Sequence, residues 1–290
     1  MLVSERIGQF FVDSDGGRDR LEYTEYGSGD QWVVLLHGLL MPRRMQQPLA
    51  RAMAAQGLHV VTLDLLGHGR SDQPADPLVY SMTSFGEQVV ALLDHLGAEQ
   101  AVIGGTSLGA NVSLEVAVIA PERVKGLIVE MPVLNNALVA GILAFVPVML
   151  AARYLPFTAN SLQKLARSVP RGVVPFWAGI GLDTVDHRAD SIAAVLHGVI
   201  FGRIAPSSRL RRQIQAPALV VGHPIDPIHP FVDADMLAAE LSHVRVERAT
   251  SILEWRFRPD RLTAAAIDFT LDCWDGSRAA ATTKARARKR

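Results

Sequence analysis

Ala101-Val102-Ile103-Gly104 leads directly into Gly105-Thr106-Ser107-Leu108-Gly109, and this segment is the strongest indication of the fold. Its first half is an apolar run typical of a strand buried on both faces, and a helical pattern opens at Leu108. A Gly-x-Ser-x-Gly segment between a strand and a helix holds its serine on a sharp, strained turn, where bulkier residues than glycine would collide. The sequence therefore predicts a strand–turn–helix unit that presents Ser107 as a candidate nucleophile.

Similar apolar runs recur along the chain, with helix-length patterns between them. The predicted strands are Trp32–Leu36, Val60–Leu63, Ala101–Gly104, Gly126–Val129 and Ala218–Val221, and the predicted helices are Met45–Gln56, Ser84–Leu96 and Leu108–Ala120. Alternation of buried strands with helices favours a parallel sheet with right-handed crossovers. Residues 7–27 indicate instead an antiparallel hairpin that precedes it.

The alternation stops after Met131-Pro132 and resumes near Pro217. We therefore expect a core formed by residues 1–132 and 211–275, and an inserted helical cap at 133–210. A functional site is expected where the core and the cap meet.

One cap segment, Ala137–Ala152, contains no charged residue. It is shorter than the roughly 20 residues that a membrane-spanning helix needs, and it contains Pro147. This pattern favours a buried or interfacial cap helix.

The cysteine content and the N-terminal sequence indicate the cellular compartment. The single cysteine, Cys273, excludes an intramolecular disulfide, and no apolar run follows the charged pair Glu5-Arg6 as it would in a secretory signal. These features predict a cytoplasmic protein.

The zero net charge conceals a basic C-terminal segment. Residues 276–290 carry six Lys and Arg residues and no acid, which leaves 23 basic against 29 acidic residues elsewhere. Such a composition cannot bury a face, so we expect a disordered tail. Peripheral membrane contact through the cap or this tail stays open, and no nucleic acid partner is expected.

Two further motifs have the order and spacing of a known family. Leu35-Leu36-His37-Gly38-Leu39 ends one strand, and a Gly-rich turn from Asp64 to Asp72 follows the next. With the Ser107 turn, they make the chain resemble the α/β-hydrolase family from about residue 20 to residue 273. The resemblance implies a mostly parallel sheet flanked by helices, with an inserted cap. It also implies an oxyanion hole formed by the backbone N–H groups of Leu39 and Leu108.

The nucleophile type narrows the chemistry that the resemblance implies. The similar haloalkane dehalogenases and epoxide hydrolases attack with a carboxylate, whereas this chain has Ser107 at the turn. Acyl-type chemistry is therefore favoured over those two reactions.

The triad acid is predicted from a loop after the strand Ala218–Val221. The stretch from Val220 to Pro230 resembles the family's acid loop, with Asp226 four residues before Pro230 and one extra residue after Gly222. Asp226 is therefore the predicted acid. Glu130, at the end of the preceding strand, is the alternative, because some family members place the carboxylate there.

The base departs from the family pattern. In the family it follows the last strand, some seven residues before a Pro-acidic pair, and counting back from Pro259-Asp260 lands on Ser251-Ile252. A serine hydroxyl without a base is a poor nucleophile. The best-placed substitutes are His229, which is preferred, and His223, because both flank Asp226. His37 and His68 are interpreted as turn residues.

No motif for a metal or a nucleotide occurs in the sequence, so we expect no cofactor. Two hypotheses of function remain. The first is a serine hydrolase acting on an ester, thioester or related acyl substrate, small and apolar or lipid-like, with Ser107, Asp226 and His229 in its site. The apolar cap segment supports such a substrate if it lines a pocket, although plain core packing explains it equally. The second is a non-catalytic ligand-binding or interaction protein of the same fold that has lost its histidine.

Overall fold

A computed structural model describes residues 3–14 and 17–276. Eight strands form one sheet in the order β1-β2-β4-β3-β5-β6-β7-β8. Their bounds are β1 Glu5–Ser14, β2 Gly17–Tyr26, β3 Trp32–Leu36, β4 His59–Asp64, β5 Ala101–Thr106, β6 Val124–Glu130, β7 Ala218–Gly222 and β8 Val244–Arg248. All neighbours from β4 to β8 pair in parallel, which confirms the predicted sheet.

The sheet begins with an antiparallel part. β1 and β2 form the predicted hairpin, and β2 continues antiparallel alongside β4. The last strand, β8, escaped prediction because it carries charged residues at three of its five positions. It lies at the sheet edge and is largely exposed, so it lacks the apolar run that marks a strand covered on both faces.

Helices flank both faces of the sheet. Their bounds are α1 Gln47–Ala54, α2 Met82–Leu96, α3 Leu108–Ile119, α4 Leu138–Tyr154, α5 Pro156–Ser168, α6 Phe176–Val185, α7 Ala189–Phe201, α8 Ser208–Arg211, α9 Phe231–Glu240, α10 Glu254–Phe257 and α11 Asp260–Asp275. Short 3₁₀ turns span Arg43–Gln46, Pro77–Val79, Pro121–Arg123 and Arg171–Val173.

Alternate strand residues point into two separate cores. Val33 and Leu35 pack with α1 and α11, whereas Val34 and Leu36 pack with α2 and α3 on the opposite face. This division follows from the two-residue repeat of a strand, which sends successive side chains to opposite faces. It explains why these strands read as continuous apolar runs.

Helix ends follow local sequence signals where these are strong. Ser81 caps α2 by accepting a hydrogen bond from the Ser84 N–H at 3.0 Å, and Gly97 ends the same helix with φ 68°. The predicted start at Ser84 therefore lies two residues after the observed one.

The helices α4 to α8 lie in the connection between β6 and β7, which contains the predicted insertion at 133–210. α4 packs against α7. The helix predicted at Ala137–Ala152 is present as α4, with Pro147 inside it, but it is not a buried helix: Ala152 is its one buried residue. Its role in a cap stays a prediction.

Among the described residues, no single helix has both the length and the apolar character to cross a bilayer. By those two criteria α4 and α5 qualify only together, as a pair bent by 100°. The predicted basic tail lies, from residue 277 onward, outside the described residues.

Candidate active site

Ser107 occupies the sharp turn between β5 and α3. Its backbone is strained, with φ 54° and ψ −107°, a conformation that L-residues with a side chain rarely adopt. A Cβ on Gly105 would lie 2.5 Å from the carbonyl carbon of Gly109, and one on Gly109 would lie 2.6 Å from the Leu36 oxygen. The turn therefore needs glycine at both positions, as predicted.

The structure brings the three predicted site residues together. His229 Nε2 lies 2.9 Å from Ser107 Oγ, and His229 Nδ1 lies 3.0 Å from Asp226 Oδ2. Both distances allow hydrogen bonds. If Nδ1–H donates to the Asp226 carboxylate, Nε2 is free to accept the Ser107 proton, and this tautomer assignment follows from the carboxylate having no proton to give.

Asp226 is held by its own loop. Its second oxygen, Oδ1, accepts the backbone N–H groups of Ile228 at 2.8 Å and His229 at 2.9 Å. Burial raises the pKa of this carboxyl, but the hydrogen bonds and attraction from His229 outweigh that effect, so its pKa lies below the ordinary value. Asp226 is therefore ionised at neutral pH.

The loop that carries Asp226 has a strained backbone at Ile225. Its φ is 59°, a left-handed conformation that is unfavourable for a β-branched residue, and its side chain is 97% exposed. The tight bend at Ile225 comes directly before Asp226, and the loop reaches Ser107 three residues later. The strain is thus located where the loop turns the acid and the base toward the serine.

Leu39 and Leu108, the predicted oxyanion-hole residues, both border the same cavity as Ser107. Within the described part of the chain, neither backbone N–H has a hydrogen-bond acceptor. Leu108 is also the first residue of α3, where the helix dipole places partial positive charge. Two unpaired amides beside a serine at a helix N-terminus suit a developing negative charge.

Glu130, the alternative acid, lies in a different cluster. Its Oε2 accepts hydrogen bonds from Thr106 Oγ1 at 2.5 Å and from Arg256 at 2.7 Å, while His223 Nε2 faces Oε1 at 3.2 Å. Burial alone would raise the pKa of Glu130. The charge of Arg256 and the contact with His223 outweigh that effect and bring the pKa down to about 2. Glu130 is therefore an ionised carboxylate, held in its own cluster next to the Ser107 turn.

His223, the second candidate base, is occupied in the same cluster. Its Nδ1 donates to the carbonyl oxygen of Ser251 at 3.0 Å. Ser251 belongs to the loop after β8, where the family pattern would place the base. His223 thus ties that loop to the end of β7.

His37 and His68 are turn residues, as interpreted from the sequence. His37 Nδ1 donates to the Gly38 oxygen at 2.8 Å, and its Nε2 accepts the Leu65 N–H at 3.0 Å, which requires a neutral ring. His68 Nδ1 donates to the Leu66 oxygen at 2.9 Å. Burial lowers the pKa of both imidazoles.

A narrow cavity of about 70 Å³ opens beside Ser107. Apolar side chains from the loop after β3, α4 and α7 form most of its wall, together with Ile228 next to His229. The cavity wall includes Leu39, Leu138, Ile142, Phe145, Val199 and Ile200. Part of the apolar α4 surface therefore lines a pocket instead of packing in a core, and the polar groups gather at one end around the serine.

Comparison with known proteins now identifies the family. A family model described as alpha/beta hydrolase fold matches residues 31–182, slightly more than half of the chain. This chain belongs to the α/β-hydrolase fold family. Its sheet order, its strained serine turn and its helical insertion between β6 and β7 are thereby features of an α/β-hydrolase.

Among curated relatives, 3-oxoadipate enol-lactonase 2 of Acinetobacter baylyi is 24% identical over 240 residues, which cover 78% of this chain and 84% of the relative. The acetyltransferase component of the acetoin cleaving system of Pseudomonas putida is 38% identical, but over 39% of this chain and 30% of that protein. The chain thus spans less than a third of that relative's length.

Solved structures share the fold over nearly the whole chain. An esterase from Thermogutta terrifontis has a TM-score of 0.72 at 21% identity, covering 92% of this chain and 99% of its own. An enol-lactonase from Burkholderia xenovorans has a TM-score of 0.70 at 21% identity, covering 89% and 98%. At this identity the likeness concerns the α/β-hydrolase fold. Of these relatives, those that match most of the chain are named as enol-lactonases and an esterase.

Sequence reasoning missed two residues that join the α/β-hydrolase core to its insertion. Asn111, on the first turn of α3, donates to the oxygens of Val133 at 2.8 Å and Ile204 at 2.6 Å, and so holds both ends of the insertion. Asp233 of α9 accepts the N–H groups of Leu134 at 2.8 Å and Ala137 at 3.1 Å, just before α4. A buried Asn within an apolar helix was the one available signal.

Proposed function

We propose that this α/β-hydrolase cleaves an ester, thioester or related acyl substrate with Ser107 as nucleophile, His229 as base and Asp226 as acid. The observation that carries the proposal is the continuous chain of contacts from Ser107 Oγ through the His229 ring to Asp226, at 2.9 and 3.0 Å. An imidazole between a serine and a carboxylate is the arrangement that activates a hydroxyl at neutral pH.

In the first half-reaction Ser107 Oγ attacks the substrate carbonyl carbon while its proton passes to His229 Nε2. The resulting oxyanion accepts hydrogen bonds from the N–H groups of Leu39 and Leu108, each of which stabilises it by roughly 3–4 kcal/mol. The protonated His229 then gives its proton to the leaving oxygen or sulfur. The bond to the leaving group breaks, and an acyl-Ser107 ester remains.

In the second half-reaction a water molecule replaces the departed alcohol or thiol. His229 takes one proton from the water as it attacks the acyl carbon, and returns that proton to Ser107 Oγ when the ester bond breaks. Asp226 stays ionised throughout and stabilises the imidazolium that forms twice in the cycle. Its lowered pKa suits this task.

The cavity supports an apolar acyl group. Its walls are almost entirely aliphatic and aromatic, and its volume of about 70 Å³ favours a small acyl group. The proposed cap, residues 133–210, contributes Leu138, Ile142 and Phe145 to that wall. In this role the cap selects the acyl group, while the water that hydrolyses the acyl-serine enters on the side of the departed alcohol or thiol.

The alternative of a non-catalytic binder was based on a missing histidine after β8. His229 Nε2 lies 2.9 Å from Ser107 Oγ and comes from a different loop, so the missing histidine no longer argues for loss of turnover. The strained backbone at Ser107 also favours an enzyme, because a strand–turn–helix of this kind presents its serine as a nucleophile. A binder therefore remains only as an outcome of the test.

The test is covalent labelling of Ser107 by a fluorophosphonate probe between pH 5 and pH 9. The wild type is compared with Ser107→Ala and His229→Gln, and hydrolysis of p-nitrophenyl esters with linear and branched acyl groups is followed in parallel. We expect the labelling rate to rise with pH as one imidazolium loses its proton. Labelling should be absent in Ser107→Ala and strongly slowed in His229→Gln. A wild type that is neither labelled nor active would favour the binding protein.

A further inference from the structure

The outer face of α4 is apolar and has no partner within the described residues. Val139 is 67% exposed, Leu143 71%, Leu150 45% and Tyr154 71%. At about 100° per residue these four positions fall within one strip about 60° wide along the helix. α4 therefore presents a continuous apolar stripe to its surroundings.

The next helix, α5, follows after a 100° bend and also exposes apolar side chains. Phe157 is 84% exposed, Leu162 52% and Leu165 64%, and Leu155 at the bend is 57% exposed. We call these residues, together with the four on α4, the apolar face. Exposed apolar surface on two consecutive helices usually marks an interaction site, because its hydration is unfavourable.

The chain segment that carries this face contains basic but no acidic residues. Residues 131–182 contain no Asp or Glu, and their charged residues are Arg153, Lys164, Arg167 and Arg171. Arg167 and Arg171 pair with Asp186 and Asp183. Arg153 and Lys164 are exposed and make no ion pair with any described residue. An apolar strip with free cations at its edge complements an anionic lipid surface.

The same helix connects this face with the cavity. Leu138 and Ile142 both line the space beside Ser107, yet they are 40% and 39% exposed. One side of α4 thus forms part of the cavity wall, and the adjacent side of the same helix forms the apolar face. A bilayer in contact with this face lies next to the cavity wall.

We propose that the apolar face of α4 and α5 docks on the surface of an anionic phospholipid bilayer, with α4 lying in the interface plane. The apolar side chains enter the boundary between headgroups and acyl chains, and Arg153 and Lys164 contact lipid phosphates. Docking is independent of the reaction proposed above, because binding to vesicles requires no turnover.

The experiment is flotation of the full chain with extruded vesicles. Pure phosphatidylcholine vesicles are compared with vesicles containing about 30% phosphatidylglycerol, at low salt and at about 0.5 M NaCl. We expect binding to the anionic vesicles that weakens in high salt without vanishing, since the apolar contacts are not screened.

Two variants, Leu143→Glu and Val139→Glu, place a charge in the apolar face. Each is expected to lower partitioning by about tenfold. The matched control is Leu78→Glu, which alters a side chain that is 88% exposed at the Pro77–Val79 turn, remote in sequence from α4 and α5. The control is expected to bind within about twofold of the wild type, and unfolding temperatures check that all three variants fold.

Several results would overturn the proposal. Wild-type protein that does not float would exclude this face. Variants that float as well as Leu78→Glu would also exclude it, and would point to the basic segment 276–290 as the membrane contact. Sedimentation without vesicles tests the other occupant. A wild-type dimer that becomes a monomer in Leu143→Glu, with no vesicle binding by either, would make the face an interface between two copies of this chain.

Discussion

The His229 imidazole lies 2.9 Å from the Ser107 hydroxyl and belongs to the same loop as Asp226, three residues earlier. The predicted acid and base of this α/β-hydrolase thus come from one segment between β7 and α9. In the usual family pattern, the base instead follows the last strand of the sheet. Because a single loop carries both groups, any shift of that loop moves them together relative to Ser107.

Replacing His229 by Gln is expected to lower kcat/KM for a short linear ester by about 10³–10⁴-fold. Gln keeps a hydrogen-bonding group but cannot accept the serine proton. The double variant with Ser107→Ala is expected to be no worse than either single variant, since the residues act as a unit. His243→Gln serves as control, because His243 lies beside Ala218 at the start of β7, at the opposite end of the sheet from Ser107. An activity above a tenth of wild type in His229→Gln would contradict this role.

Asp226→Asn is expected to reduce kcat/KM by about 10³–10⁴-fold while the protein stays folded. The Asn oxygen can still accept the two backbone N–H groups, so the loop keeps its shape, but the imidazole loses its negative partner and preferred tautomer. Steady-state kinetics and a thermal melt check both parts. Full activity in the variant would remove Asp226 from the mechanism.

Glu130→Gln is expected to act on stability before activity. The change leaves Arg256 and His223 without their buried anion, at a cost of about 3–5 kcal/mol in the free energy of unfolding. Urea denaturation measures this loss. If kcat/KM instead fell as in Asp226→Asn with stability unchanged, Glu130 would be the acid.

The His223–Glu130 contact predicts a pH dependence of stability. Burial lowers the pKa of His223, but the contact with Glu130 outweighs it, so the folded pKa lies above the ordinary 6.5. The folded state therefore holds the proton more tightly, and the stabilisation is complete below about pH 6.5 and lost as the pH rises through the folded pKa. The difference in unfolding free energy between wild type and His223→Gln should shrink from pH 6 to pH 9. A difference that grew with pH would refute the ion pair.

Relief of strain at Ile225 is expected to stabilise the protein. Ile225→Gly removes a β-branched side chain from a left-handed conformation, and because that side chain is 97% exposed, little buried surface is lost. We expect a gain of about 1 kcal/mol in a urea titration, even after the greater freedom of glycine in the unfolded chain. Ile225→Val keeps the branch and should leave stability unchanged. Destabilisation by glycine would show that the conformation is not strained.

The site was predictable from sequence only in part. Ser107 follows from a local pattern, because a strand, two glycines and a helix start are all adjacent in the chain. His229 was preferred to His223 as the base, but adjacency to Asp226 does not by itself say which imidazole reaches the serine. Asn111 and Asp233, which join the core to the insertion, were missed because each hydrogen-bonds to backbone atoms far away in sequence.

The parallel sheet, its hairpin and the serine turn were all predictable from local sequence, because buried strands need continuous apolar runs and a tight turn needs glycine. Three features emerge only from the folded chain: His229 meets Ser107, Glu130 is engaged with Arg256, and α4 faces outward. Those outcomes depend on contacts between residues distant in the chain, where periodicity carries no information. An apolar helix reads the same from its sequence whether its outer face is covered or exposed.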